Sequence, residues 1–151
     1  MANQNKAKGG ARSSARLAAV QALYQIEASS MAAKIVVKEF ADHRINEIID
    51  DEPLEKADIK FFTDIVIGVN DRLDEINALI EDNLSEGWTL DRIESVARAS
   101  LRAGVYELLA RPDVPTKVII NEYIDATKAF FDDSTPRFVN GVLDKIAKEK
   151  R

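Results

Sequence analysis

The sequence predicts an all-α protein. Apolar residues recur at gaps of three and four along most of the chain, no stretch alternates with a strand period between turn signals, and the connectors are short. A chain of 151 residues can bury a substantial core as one domain. With 46% apolar and 31% charged residues, its balance is that of a globular chain, not a disordered one.

The elements follow in order. Residues 11–28 read as a helix with Leu17, Val20, Leu23, Tyr24 and Ile26 on a wide apolar face. A weaker helix spans about residues 31–50. The clearest pattern runs from Leu54 to Asn83, through Ile59, Phe62, Ile65, Val66, Val69, Leu73, Ile76, Leu79 and Ile80. Pro53 suits its start, because a first-turn N–H has no intrahelical partner to lose. Gly68 lies inside the stripe, where it either permits close packing or breaks the helix. Gly87 is a stop signal. Ile93, Val96, Ala97, Leu101, Val105 and Leu108 form the next stripe, ended by Arg111-Pro112. Thr116 is a candidate N-cap for a helix carrying Val118, Ile119, Tyr123, Ala126 and Phe130. The loop Asp132–Pro136 precedes a last helix bearing Phe138, Val139, Val142, Leu143 and Ile146.

Composition excludes several functions. There is no cysteine, hence no disulfide framework and no thiolate metal site. His43 is the single histidine, which leaves no material for a His-based zinc site or a Ser/His/Asp triad. No GxGxxG, GxxxxGK[ST] or GxSxG motif is present, and no EF-hand spacing. Acid pairs such as Asp50-Asp51 and Asp132-Asp133 are ordinary in a chain with 26 acids, so they read as solvated loop charge. The expectation is a non-enzymatic protein without cofactor or metal. It is expected in the cytoplasm, since neither a membrane span nor the apolar stretch of a secretion signal is visible.

Charge is distributed unevenly. The net charge is −5, yet residues 1–26 carry Lys6, Lys8, Arg12 and Arg16 and no acid, whereas residues 39–94 hold 17 acids and 5 bases. Residues 1–10 are therefore expected to form a flexible basic arm, with Gly9-Gly10 as a hinge, ahead of a helical domain over 11–151. Such a segment is either a solubilising, frayed end or a set of cations for phosphates, effective locally because salt screens each charge within about 10 Å. On the first helix Arg12, Arg16 and Leu23 fall within about 40° of one another at 100° per residue. Arg16 thus projects beside the buried face, where a guanidinium snorkels, pairs with an acid or meets a ligand.

Two further places carry candidate residues. Before the last helix, Asp132, Asp133 and Ser134 suit capping and the helix dipole. The same loop also offers Lys128 and Arg137 for phosphates and Phe138 for base stacking, although Phe138 lies on the apolar stripe as well. On the helix from Ile93 to Leu109, Glu94, Arg98, Arg102 and Tyr106 form a line at i,i+4 spacing. That line is either an exposed face with one weak ion pair or a protein-docking face.

Four blocks in order resemble the NusB family. Ala15-Arg16-Leu17-Ala18-Ala19-Val20-Gln21-Ala22-Leu23-Tyr24 is similar to its opening helix, and Leu101-Arg102-Ala103-Gly104-Val105-Tyr106-Glu107-Leu108 to its central helix. Asp113-Val114-Pro115 with Val118-Ile119-Ile120-Asn121-Glu122 resembles the following connector and helix. Phe138-Val139-Asn140-Gly141-Val142-Leu143-Asp144 resembles the closing signature. Together the blocks span nearly the whole chain. The resemblance implies about seven helices in two small subdomains. It also implies an antitermination factor that binds boxA RNA with NusE, a small-subunit ribosomal protein, alongside other Nus factors on RNA polymerase in ribosomal RNA operons. It places Arg12, Arg16, Gln21, Tyr24, Asp133, Arg137 and Phe138 on the RNA side, and Arg102, Tyr106 and Glu107 near the NusE face. Some members of the family self-associate and hide the RNA face, so the resemblance also leaves room for a homodimer, which the sequence does not decide.

Two departures stand out: Ser13 and Ser14 occupy a stretch that is often richer in arginine, and Phe131 stands where a glycine is expected. Two other readings compete. One is the RNA-binding domain of an RNA cytosine methyltransferase, which needs a further domain with a nucleophilic cysteine that this sequence lacks. The other is a pure protein-interaction module.

Overall fold

The computed structural model describes the backbone of residues 2–44, 58–132 and 134–151, with side chains described within 10–43, 58–132 and 134–151. The expected start at Pro53, the end of the helix over 31–50, and Asp133 lie outside the described residues. Among the described residues there are seven α-helices and no strand. They are α1 (Ala2–Ser29), α2 (Ala33–Glu39), α3 (Ile59–Asp71), α4 (Leu73–Asp82), α5 (Ser95–Ala110), α6 (Thr116–Lys128) and α7 (Ser134–Lys150). The chain divides into two compact units, residues 1–67 and 68–151.

In the first unit α1 begins at Ala2 and runs through Gly9 and Gly10 without a break, where the pattern of apolar residues placed its start at residue 11. Its small apolar residues Ala15, Ala18, Ala19 and Ala22 are buried with Val20 and Leu23. A helix presenting alanines lets its neighbours approach closely. Phe40 and Phe62 stack with ring centroids 5.7 Å apart. α2 loosens at Phe40 into a single π-helical turn, Phe40–Arg44. Asp58 starts α3: its side-chain oxygen accepts from the Phe61 N–H at 2.9 Å, an N-cap that the pattern of apolar residues could not reveal.

The second unit is organised around α5. Ala97, Ala99, Leu101, Ala103, Gly104, Val105, Tyr106 and Leu108 are all buried, covering nearly every face of this helix. A helix that is apolar all round belongs at the centre, and α6 and α7 pack on it and on each other. At Gly104 a side chain would meet Leu143 at 2.9 Å, so the glycine sets how closely α7 can lie. The single long helix read over 54–83 is instead two. The break falls at Arg72 (φ −114°, ψ 25°) and not at Gly68, whose backbone stays helical. Thr116 is the first residue of α6, and Pro115 occupies the cap position predicted for it. α7 starts at Ser134, so Pro136 sits in its first turn, where a missing N–H is tolerated.

Candidate nucleic-acid interface

In the first unit two arginines of α1 gather over one aromatic ring. The Arg12 guanidinium lies 4.5 Å and the Arg16 guanidinium 4.8 Å from the centroid of Phe61, at the start of α3. Asp58 holds this junction together. Its backbone N–H donates to the Ala11 carbonyl at 3.0 Å, and its carboxylate stands 3.9 Å from Arg12 Nε. Both guanidiniums face the electron-rich ring of Phe61, and the Asp58 carboxylate stands beside Arg12. The side chains differ in access. Arg12 is exposed, whereas Arg16 is only 3% exposed and forms part of the packed base. Further along the helix Tyr24 is 42% exposed and Gln21 half-buried. The side chains of Lys6 and Lys8 lie outside the described residues.

In the second unit the connector between α4 and α5 and the start of α7 form a pocket of about 410 Å³, lined by Trp88, Arg92, Ala97, Ser134, Thr135 and Phe138 among others. Trp88 and Phe138 meet at 6.3 Å between centroids, tilted by 41°. The connector is braced from several sides. Gly87 takes φ +87°, a left-handed conformation that favours glycine. Arg92 donates to the Gly87 carbonyl at 3.0 Å, and Arg98 to the carbonyls of Leu90 (3.2 Å) and Ile93 (2.5 Å). Thr89 Oγ1 donates to Asp91, and that hydrogen bond, followed by the Asp91 backbone amide, holds the Asp91 carboxyl below its ordinary range. Glu94, read from the sequence as an i,i+4 partner of Arg98, turns its carboxylate to the Val96 and Ala97 amides as the N-cap of α5. Lys128 and Arg137 are exposed at the end of α6 and in the first turn of α7. No cluster that could hold a metal ion occurs among the described residues.

A model of the NusB family matches residues 13–148. The chain belongs to the NusB family. It is 51% identical over 140 residues to the transcription antitermination protein NusB of Sphingopyxis alaskensis, which covers 93% of this chain and 94% of that one. It is 47% identical to NusB of Caulobacter vibrioides over the same shares of the two chains. Among solved structures, T. maritima NusB superposes with a TM-score of 0.74 at 34% identity, covering 91% of each chain. The crystal structure of antitermination factors NusB and NusE in complex with dsRNA gives 0.71 at 25% identity, over 91% of this chain and 96% of the matched one. The all-α fold in two small units expected from the family resemblance is the one observed.

Within this NusB-family chain, several site residues named from the sequence have internal duties. Glu107 is fully buried and accepts a hydrogen bond of 2.5 Å from the Tyr123 hydroxyl. Tyr106 is buried against Gly68. Arg98 is committed to the connector carbonyls, and Arg102 Nε donates to Asn77 Oδ1 at 3.0 Å, tying α5 to α4. The i,i+4 line placed these residues on one side of a helix correctly. It could not tell that α5 is covered nearly all round. Phe131, where a glycine was expected, adopts no left-handed conformation; α6 closes through Phe130 and Phe131 N–H bonds to the Thr127 carbonyl at 3.0 and 3.1 Å. The sequence reading missed Asp58, Phe61, Trp88, Arg92 and Thr135. The one available signal was Trp88, the single tryptophan, placed directly after a glycine in a connector.

Proposed function

We propose that this chain is a transcription antitermination factor that binds boxA RNA together with NusE. In this reading it works in the cytoplasm with other Nus factors on RNA polymerase and supports transcription of ribosomal RNA operons. The observation that carries the proposal is the guanidinium pair over Phe61, on a helix whose segment of residues 1–26 contains four bases and no acid. A phosphate backbone finds there a positive surface whose geometry is already fixed. Arg12 makes the direct phosphate contact, and Arg16 holds the ring and its neighbour in place. Lys6 and Lys8 extend the same charge toward the start of the chain. Gln21 and Tyr24 lie further along α1, and Lys128, Asp133, Arg137 and Phe138 form a second contact region at the start of α7. Arg102 is the residue of α5 retained for the NusE face. The names of the curated relatives support the reading, as does the solved complex of NusB with NusE and dsRNA.

Fluorescence anisotropy with labelled boxA RNA and a scrambled RNA, with and without NusE, tests it. The expected result is a preference for boxA that tightens when NusE is added and weakens as salt rises. Arg12→Ala should lower the slope of log affinity against log salt by about 0.7 for one lost phosphate on a single strand. Equal affinity for both RNAs overturns the proposal. Light scattering across the titration reports the homodimer: RNA binding should shift the protein toward the monomer.

A further inference from the structure

At Asp58, charge and geometry pull RNA binding in opposite directions. On charge alone, a carboxylate 3.9 Å from Arg12 Nε works against a polyanion. For unit charges about 6 Å apart in water, losing this acid tightens binding roughly 3-fold. The geometry favours keeping it. Asp58 is the N-cap of α3, and its Oδ1 accepts at 2.9 Å from the N–H of Phe61, the third residue of that helix. Phe61 is the residue whose ring carries both guanidiniums, at 4.5 and 4.8 Å. The Asp58 backbone N–H, bonded to the Ala11 carbonyl at 3.0 Å, ties the same point to the residue just before Arg12. At 3.9 Å the carboxylate is too far from Arg12 Nε for a hydrogen bond, so the capping oxygen and not the ion contact carries the effect.

We propose that Asp58 is a positioning residue for RNA binding: an acid that raises affinity for a polyanion by holding the Phe61 ring, and through it Arg12, in the geometry that meets a phosphate. Asp58 takes this role under the RNA-binding reading above. Without the capping oxygen the first turn of α3 loses a partner for its amides, and Phe61 lies in that turn. The ring is then no longer fixed, and the exposed Arg12 side chain must be ordered by the RNA itself. Ordering two side chains on binding weakens it by roughly 5- to 150-fold. Set against the roughly 3-fold gain from the lost charge, the net effect of removing Asp58 is a weakening of roughly 2- to 50-fold. Geometry therefore outweighs charge.

Anisotropy titrations of labelled boxA RNA with the full chain test this. Asp58→Ala removes both oxygen and charge and should bind roughly 2- to 50-fold more weakly than wild type. Asp58→Asn keeps a capping oxygen without the charge, and should bind as tightly as wild type or up to roughly 3-fold tighter. Circular dichroism melts show which variants are folded at the assay temperature. If Asp58→Ala is not, Asp58→Gly replaces it, since glycine is tolerated at an N-cap yet offers no oxygen, and the same weakening is expected. In an Arg12→Ala background Asp58→Ala should weaken binding no further, because the residue it acts through is gone. The proposal is overturned if the folded variant without the oxygen binds RNA as tightly as wild type or tighter, whatever its melting temperature. It is also overturned if Asp58→Asn loses as much affinity as Asp58→Ala, or if the loss persists in full without Arg12. Failure of the RNA-binding reading itself is a separate result: no anisotropy change when wild-type protein meets any RNA.

Discussion

Gly68→Ala sets two effects of opposite sign against each other. Gly68 lies in the interior of α3, and replacing glycine by alanine in a helix interior favours folding by about 1 kcal/mol. Against this, a Cβ at Gly68 would fall on the Tyr106 ring, against Cε1 and Cζ, and 2.6 Å from the hydroxyl oxygen. Tyr106 is buried in α5 and cannot swing into solvent without opening the packing around it. Inserting a methyl group into such a site costs about 1–3 kcal/mol. The overlap here is with a rigid ring and not with the far end of a flexible chain, which places the cost at the upper end. The net expectation is a loss of about 2 kcal/mol, or about 4–8 °C in Tm for a chain of this size. Thermal melts and urea titrations followed by circular dichroism measure it. Tyr106→Leu removes the obstructing ring at its own cost. In the double variant the two losses should therefore fall short of their sum by more than about 1 kcal/mol. A Gly68→Ala protein that melts above wild type would mean that helix propensity wins and that the two helices have room to spare, which would refute the argument.

Three further outcomes are expected. Tyr123→Phe removes the hydroxyl that donates to buried Glu107 and should cost about 1–3 kcal/mol in urea unfolding while leaving RNA affinity unchanged. Arg151 donates to the carbonyls of Leu108, Glu107, Arg111 and Val114 at 2.7–3.2 Å, closing the C-terminal end of α5. Arg151→Ala should lower the urea midpoint by the equivalent of about 1–2 kcal/mol, and Arg151→Lys should recover only part, since an ammonium cannot fork over several oxygens. Glu75 accepts both bonds of a forked pair from Arg72, at 2.9 and 3.0 Å, and that bond holds its carboxyl below the ordinary glutamate range. A carboxyl whose pKa is lowered on folding adds stability above its unfolded pKa and loses it as pH falls through the folded one. The gap between wild type and Glu75→Gln should therefore be present at neutral pH, be no larger than about 0.5 kcal/mol for so exposed a pair, and close under acid conditions in paired melts.

The helices were legible because periodicity reports burial, and burial is what makes a helix in a small domain. Sequence reasoning placed Ile65, Val66, Ile76, Ile80, Leu101, Val139 and Leu143 on core stripes, and all are buried. It failed where a boundary depends on one backbone torsion or one cap. The break at Arg72 interrupts no stripe, because Val69, Leu73 and Ile76 keep helical spacing across it. Asp58 as a cap sits amid many acids with no local mark. The candidate site was half legible for the same reason. Arg12 and Arg16 share a face by arithmetic, but Phe61 lies some 45 positions further along the chain, and only folding brings its ring beneath them. Glu107 shows how burial changes what an acid on a helix must do. On a helix exposed on one side it would have been a surface acid; on one buried nearly all round it needs an internal donor, and Tyr123 is that donor.

For a protein of net charge −5 to hold a polyanion, as proposed, its charges must be separated along the chain, and in this sequence they are. The acids concentrate in residues 39–94, and the segment of residues 1–26 has none. At ordinary salt each charge is felt over about 10 Å, so an RNA strand placed on α1 by the proposed function would sense Arg12 and Arg16 far more than the mean charge of the molecule. Under the proposed function, specificity then does not require many base contacts near α1, because a fixed cation such as Arg12 already limits where a backbone can lie.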